Sequence, residues 1–184
     1  MKTAKELDET NVFTIGHSTR DVDDFISILK EHKISILVDL RTIPQSRFNP
    51  QFGKEALEKS LQREKIEYLH FKGLGGLRKP KKDSINAGWR NQSFRGYADY
   101  MQTKEFEKNL DSLIELINQA NKKNANITLM CAEAVPWRCH RSLVSDALTI
   151  RGFNVKHILN AKSTRSHKIT SFAKVNGMRI TYES

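Results

Sequence analysis

Short apolar runs of strand length alternate along this chain with segments whose apolar residues recur every three or four positions. The runs at 12–15, 35–40, 67–71, 127–130 and 154–159 read as strands. Between them, 21–33 carries Val22, Phe25, Ile28 and Leu29 on one helical face, and 54–63 carries Leu57 and Leu61 one turn apart. The segment 104–121 places Phe106, Leu110, Leu113, Ile114 and Ile117 in one stripe, and 142–151 does the same with Leu143, Val144, Ala147 and Leu148 before Gly152 ends it. Regular strand–helix alternation predicts a single three-layer α/β domain: a mostly parallel five-stranded sheet with helices on both faces.

Two stretches break the pattern. From 73 to 93 no period holds; Gly73, Gly75, Gly76, Pro80 and Gly88 punctuate a lysine-rich segment, which is expected to be a lid or binding loop. Beyond residue 160 the chain is polar and basic. The expected division is an N-terminal extension over 1–10, the α/β domain over 11–160 with its basic loop at 72–95, and a basic C-terminal tail over 161–184. The longest apolar run, 34–38, is strand-sized, no apolar signal segment leads the chain, and two cysteines are too few for a disulfide framework. A cytoplasmic protein without membrane contact is expected.

Charge adds a class of partner. The formal net charge is +10, with cations gathered at 72–95 and again at 162–174. Such a surface suits a phosphate-bearing small molecule or nucleic acid. Arg78, Lys79, Lys81, Lys82, Trp89, Arg90 and Arg95 are the candidates for nucleic-acid contact, since bases stack on aromatic rings while cations meet phosphates. The competing reading makes Phe94, Tyr97 and Met101 a helix face in the core.

Candidate chemistry lies where strands end. Gly16-His17-Ser18 follows the first strand. Asp39 and Arg41 close the second, with Ser46 just beyond, and Cys131-Ala-Glu133 leads to Cys139-His140-Arg141 after the fourth. In a parallel sheet these loops share the C-terminal edge, where ligands bind. Cys139 and Cys131 are candidate nucleophiles, and His17 or Glu133 a proton carrier. Arg41 and Arg141, with Ser18, Asp39, Ser46 and His140, are expected to hold the substrate. Cys139, flanked by Arg138, His140 and Arg141 at a helix start, is the thiol with most reason to ionise, whereas Cys131 equally suits a buried apolar role. A phosphatase loop is disfavoured: it requires Cys, five intervening residues and then Arg, but after Cys131 that place is taken by Trp137 and Arg138 comes one late, while Glu133 repels an anion and Pro136 lacks a donor. No cofactor is required. Zinc or iron on Cys131, Cys139 and His140 is the metal alternative, although adjacent Cys139 and His140 are not expected to face one ion.

The stretches Thr14-Ile-Gly-His-Ser18, Val38-Asp-Leu-Arg41 with Pro44 and Ser46, Leu74-Gly-Gly76, 94–101, and Leu129-Met-Cys-Ala-Glu133 with Cys139-His-Arg141 resemble, in order, the domain of unknown function 488 family. The resemblance implies one α/β domain and no settled activity. It picks out His17, Ser18, Asp39, Arg41, Cys131, Glu133, Cys139, His140 and Arg141 as the recurrent polar positions, and Ala134-Val135 departs from its more polar pattern. The resulting expectation is an enzyme acting on a phosphate-bearing substrate, most of all nucleic acid or a nucleotide. The alternatives are a noncatalytic nucleic-acid-binding module and a metal-binding protein.

Overall fold

The computed structural model describes residues 10–184, so the N-terminal extension expected over 1–10 lies, apart from its last residue, outside the described residues. Six strands form one sheet: β1 (Asn11–Gly16), β2 (Ile34–Asp39), β3 (Glu67–His70), β4 (Asn126–Cys131), β5 (Asn154–Asn160) and β6 (Ser163–Ser166). Their order is β3-β2-β4-β1-β5-β6, with the first five parallel and β6 antiparallel to β5. The expected α/β class and single domain are observed, and β6 extends the expected five strands. A small hairpin, β7 (Lys174–Asn176) with β8 (Arg179–Thr181), lies outside the sheet.

The helices divide between the two faces. Those named α1 (Val22–Glu31) and α2 (Lys54–Arg63) bury Phe25, Leu29, Leu57 and Leu61 against Ile15, Leu37 and Met130. On the other face α3 (Gln92–Tyr100), α4 (Lys104–Lys122) and α5 (Arg141–Thr149) pack Tyr97, Leu110, Leu113, Leu143 and Val144 against Val12, Val38, Ile127 and Leu129. The central strands are buried on both faces, which is why they read as unbroken apolar runs. Two helix starts follow from side-chain caps: Asn91 accepts from the Ser93 and Phe94 amides, and Thr103 from the Phe106 amide.

β1 and β4 are neighbours, yet the helix after β1 crosses one face and the helix after β4 crosses the other. Their C-terminal ends therefore open a crevice at the point where the winding reverses, the favoured ligand position in such sheets. Among the described residues no helix is long and apolar enough to cross a membrane.

Two segments without a period owe their order to buried carboxylates. Asp99 on α3 accepts from the Lys81 amide, the Ser84 hydroxyl and Asn86 Nδ2, and Asn86 Oδ1 accepts from the Tyr182 amide. The stretch from 73 to 93 is thus anchored to α3 midway along rather than hung as a free lid. The basic tail is held in the same manner by Asp146 of α5, and its Ile180 and Tyr182 enter the core.

Candidate active site

Because β4 lies between β2 and β1, the three polar strand ends are adjacent. Backbone pairing continues past the strands: the His17 amide donates to the Cys131 carbonyl, the Ser18 amide to Ala132, and the Leu40 amide to Met130. Together with Gly76, Leu77, Ser93 and Phe94 the three loops enclose a cavity of about 650 Å³, within the range of small-molecule sites. His17, Ser18, Arg41, Ser46, Cys131, Glu133, Cys139 and His140 line it. Asp39 and Arg141 do not.

Arg41 is held by its surroundings. Asp39 is completely buried and accepts from Arg41 Nε and NH2, the latter at 2.6 Å, and also from the Tyr68 hydroxyl at 2.7 Å. A second NH2 proton goes to the Phe52 carbonyl, and NH1 meets His17 Nε2 at 3.3 Å. A guanidinium has five N–H groups; one on NH1 remains uncommitted among the described residues. His17 stacks on Phe52 at 4.3 Å, and its Nδ1 lies 2.8 Å from the Ser18 carbonyl. Burial, reinforced by the Arg41 charge, lowers its pKa to about 4. The ring is therefore neutral at pH 7, donates from Nδ1 and accepts from Arg41 with Nε2. In this arrangement His17 helps to orient Arg41.

Arg141 lies behind the cavity wall rather than on it. It is fully buried, and its NH1 and NH2 donate to the Glu133 and Ala134 carbonyls at 2.6 and 3.0 Å. These bonds fix the loop that presents Glu133. Gly16 lies beneath this latch: a Cβ there would sit 1.7 Å from the Glu133 carbonyl oxygen. Gly16→Ala is accordingly expected to destabilise the protein by about 1–3 kcal/mol or more, because backbone rather than a flexible side chain must yield. Urea unfolding measures it, and a cost below about 0.5 kcal/mol would show that the latch is not tight.

The thiols differ from expectation. Cys131 and Cys139 are 1% and 5% exposed. Burial, with Cys131 beside it, pushes the Cys139 thiol well up despite the favourable contribution of His140. The expected free thiolate is therefore disfavoured, since desolvation outweighs the flanking cations. The two side chains expected to diverge instead converge: Cys139 has extended backbone (φ −137°, ψ 143°) and His140 turns helical (φ −57°, ψ −16°). That change of conformation brings both onto one side of the loop. Cys131 Sγ lies 3.8 Å from His140 Nε2, and Cys139 Sγ 3.8 Å from Nδ1.

The basic segment separates into two sets. Lys79, Lys81, Lys82 and Arg90 are exposed. Trp89 stacks on Phe94 at 4.7 Å and packs against Phe172 and Tyr182, so it is a core contact rather than a base platform. Arg78 lies over the Tyr100 ring at 3.6 Å and donates to Gly75, while Arg95 donates to the Trp89 carbonyl. Both are bound into the loop they were expected to project from. Sequence reasoning missed Thr42, Gln45, Asn49 and Ser93 as cavity residues; their only signal is proximity to the strand-end loops.

Neither the curated proteins nor the solved structures compared with this chain include a match. The family model for a domain of unknown function, DUF488, matches residues 21–148, which takes in the loops after β2 and β4 and most of the cavity wall. With more than half of its 184 residues matched, the chain belongs to the DUF488 family.

Proposed function

We infer that the protein is an enzyme acting on a phosphate-bearing substrate of nucleotide size, free or at the end of a nucleic acid, within the C-terminal-edge cavity. The observation that carries this reading is the uncommitted N–H of a rigidly clamped Arg41, beside Ser18, Ser46 and Ser93, in a cavity of about 650 Å³ that also contains Glu133 and the Cys131–Cys139–His140 cluster. A preoriented guanidinium binds phosphate without the entropy loss of ordering a free side chain. Asp39 offsets its charge, so exposed Arg138 at the cavity wall and the lysines at 79–82 supply the longer-range attraction. In this reading Glu133, on the loop latched by Arg141, carries the proton.

A panel of mononucleotides and short oligonucleotide ends, followed by thermal shift and calorimetry, tests the reading. At one hundred times Kd a true ligand adds about 2.7 kcal/mol of stability. Arg138→Ala, at an exposed position that leaves the core intact, is expected to weaken that ligand several-fold, and Arg41→Gln by tenfold or more. Glu133→Gln should retain binding and lose roughly 10²–10⁴-fold in turnover. Unchanged affinity in both arginine variants would remove the basis of the proposal.

A further inference from the structure

His140 is half-buried, its ring 4.9 Å from that of Tyr97, and its two nitrogens meet only sulfur among the described residues. Neither Cys131 nor Cys139 is in a disulfide. One donor atom from each of Cys131, Cys139 and His140 lies within 4.8 Å of the other two. Around a tetrahedral zinc, with Zn–S near 2.3 Å and Zn–N near 2.0 Å, donor atoms stand roughly 3.5–3.8 Å apart. The sulfurs approach opposite ring nitrogens, so closing the set on one ion takes a turn of the His140 ring that brings one nitrogen toward both sulfurs and draws the donors together by up to about 1 Å.

The geometry points to a zinc-class metal site formed by Cys131, Cys139 and His140 in the floor of the cavity. Two thiolates and an imidazole select zinc or ferrous iron over magnesium or calcium, which prefer oxygen ligands. The three residues also line the cavity, which provides an entry path and leaves the fourth position facing the space where substrate would lie. Three protein ligands with one open position distinguish catalytic zinc sites from closed structural ones. Gly76 keeps the site compact: a Cβ on it would be 2.9 Å from His140 Nδ1. The inference deepens the catalytic reading of the cavity, but metal binding is measured without substrate, so failure of either leaves the other standing.

The full-length reduced protein is titrated with cobalt(II) under anaerobic conditions. One equivalent should bind, with thiolate-to-cobalt charge transfer in the near ultraviolet and the visible bands of a tetrahedral site. Zinc should displace it. Cys131→Ser and Cys139→Ser should each lose about half the charge-transfer intensity and at least tenfold in affinity. His140→Ala should lose affinity while keeping that intensity. If the serine variants fail to fold, zinc-loaded wild-type protein should protect both thiols from alkylation relative to the metal-free form. Substoichiometric cobalt uptake, uptake indifferent to the cysteine substitutions, or equal alkylation with and without zinc overturns the site. So does a Cys131–Cys139 disulfide whose reduction restores no metal binding.

Discussion

Asp39→Ala is expected to lower the unfolding free energy by about 3–5 kcal/mol, the cost of removing one partner from a buried ion pair. The carboxylate is fully buried and accepts from the Arg41 amide, Arg41 Nε and NH2, and the Tyr68 hydroxyl, so its removal leaves each of these without that acceptor. Arg41 itself is only 7% exposed, so water can replace little of what the carboxylate supplies to Nε and NH2. Against a typical total of about 5–15 kcal/mol the loss is large enough to appear as partial unfolding at moderate temperature. Asp39→Leu combined with Arg41→Met should recover most of it, because an apolar pair of similar volume carries no desolvation penalty. The double variant should nevertheless bind no phosphate-bearing ligand. Urea midpoints of the single and double variants decide the matter: a single-variant cost below about 1 kcal/mol would mean that water reaches Arg41 and that the clamp is loose.

The part of this site legible in the sequence is the part written by strand periodicity. Continuous apolar runs located β1, β2 and β4, and the polar residues immediately beyond them fall together because parallel strands end at one edge. Direction of side chains was not legible. Arg138 and Arg141 are alike in sequence, yet the first is exposed and the second completely buried, because only the second begins a helix packed on the sheet. The convergence of Cys139 and His140 depends on a backbone change between adjacent residues that no residue type announces. Strand β6, Ser-Thr-Arg-Ser, has no apolar alternation, since it is an edge strand held by its ladder with β5 rather than by buried side chains. The tail shows no apolar period for a related reason: polar contacts to one distant carboxylate supply much of its order, and only Ile180 and Tyr182 enter the core.

That carboxylate, Asp146, carries the second large effect. It accepts from His167 Nε2 at 2.6 Å, from the Thr170 amide and hydroxyl, and from the Tyr182 hydroxyl at 2.8 Å, all within the tail. Asp146→Ala is expected to cost at least about 3 kcal/mol, since each hydrogen bond to a charged acceptor contributes about 1.5–3 kcal/mol and they are lost together. Amide exchange should accelerate first over 163–184 while β1, β2 and β4 stay protected. The network continues inward. His167 Nδ1 meets His157 Nε2 at 2.9 Å, and His157 Nδ1 meets the Thr14 hydroxyl at 2.6 Å, so a continuous run of hydrogen bonds links β1 to α5 through both imidazoles. Burial, followed by the charges of His167, Arg141 and Arg165, lowers the His157 pKa from 6.5 to about 3. Above pH 6.5 neither state binds the proton and His157 contributes no pH dependence. Between pH 6.5 and 3 the unfolded chain takes up a proton that the folded chain refuses, so stability falls by about 1.4 kcal/mol per pH unit, near 2.7 kcal/mol by pH 4.5. His157→Asn should lower stability at pH 7, where the chain of hydrogen bonds is broken, and should flatten the acid slope relative to wild type. Parallel slopes for the two proteins from pH 6.5 to 4 would show that the folded protein accepts the proton at His157.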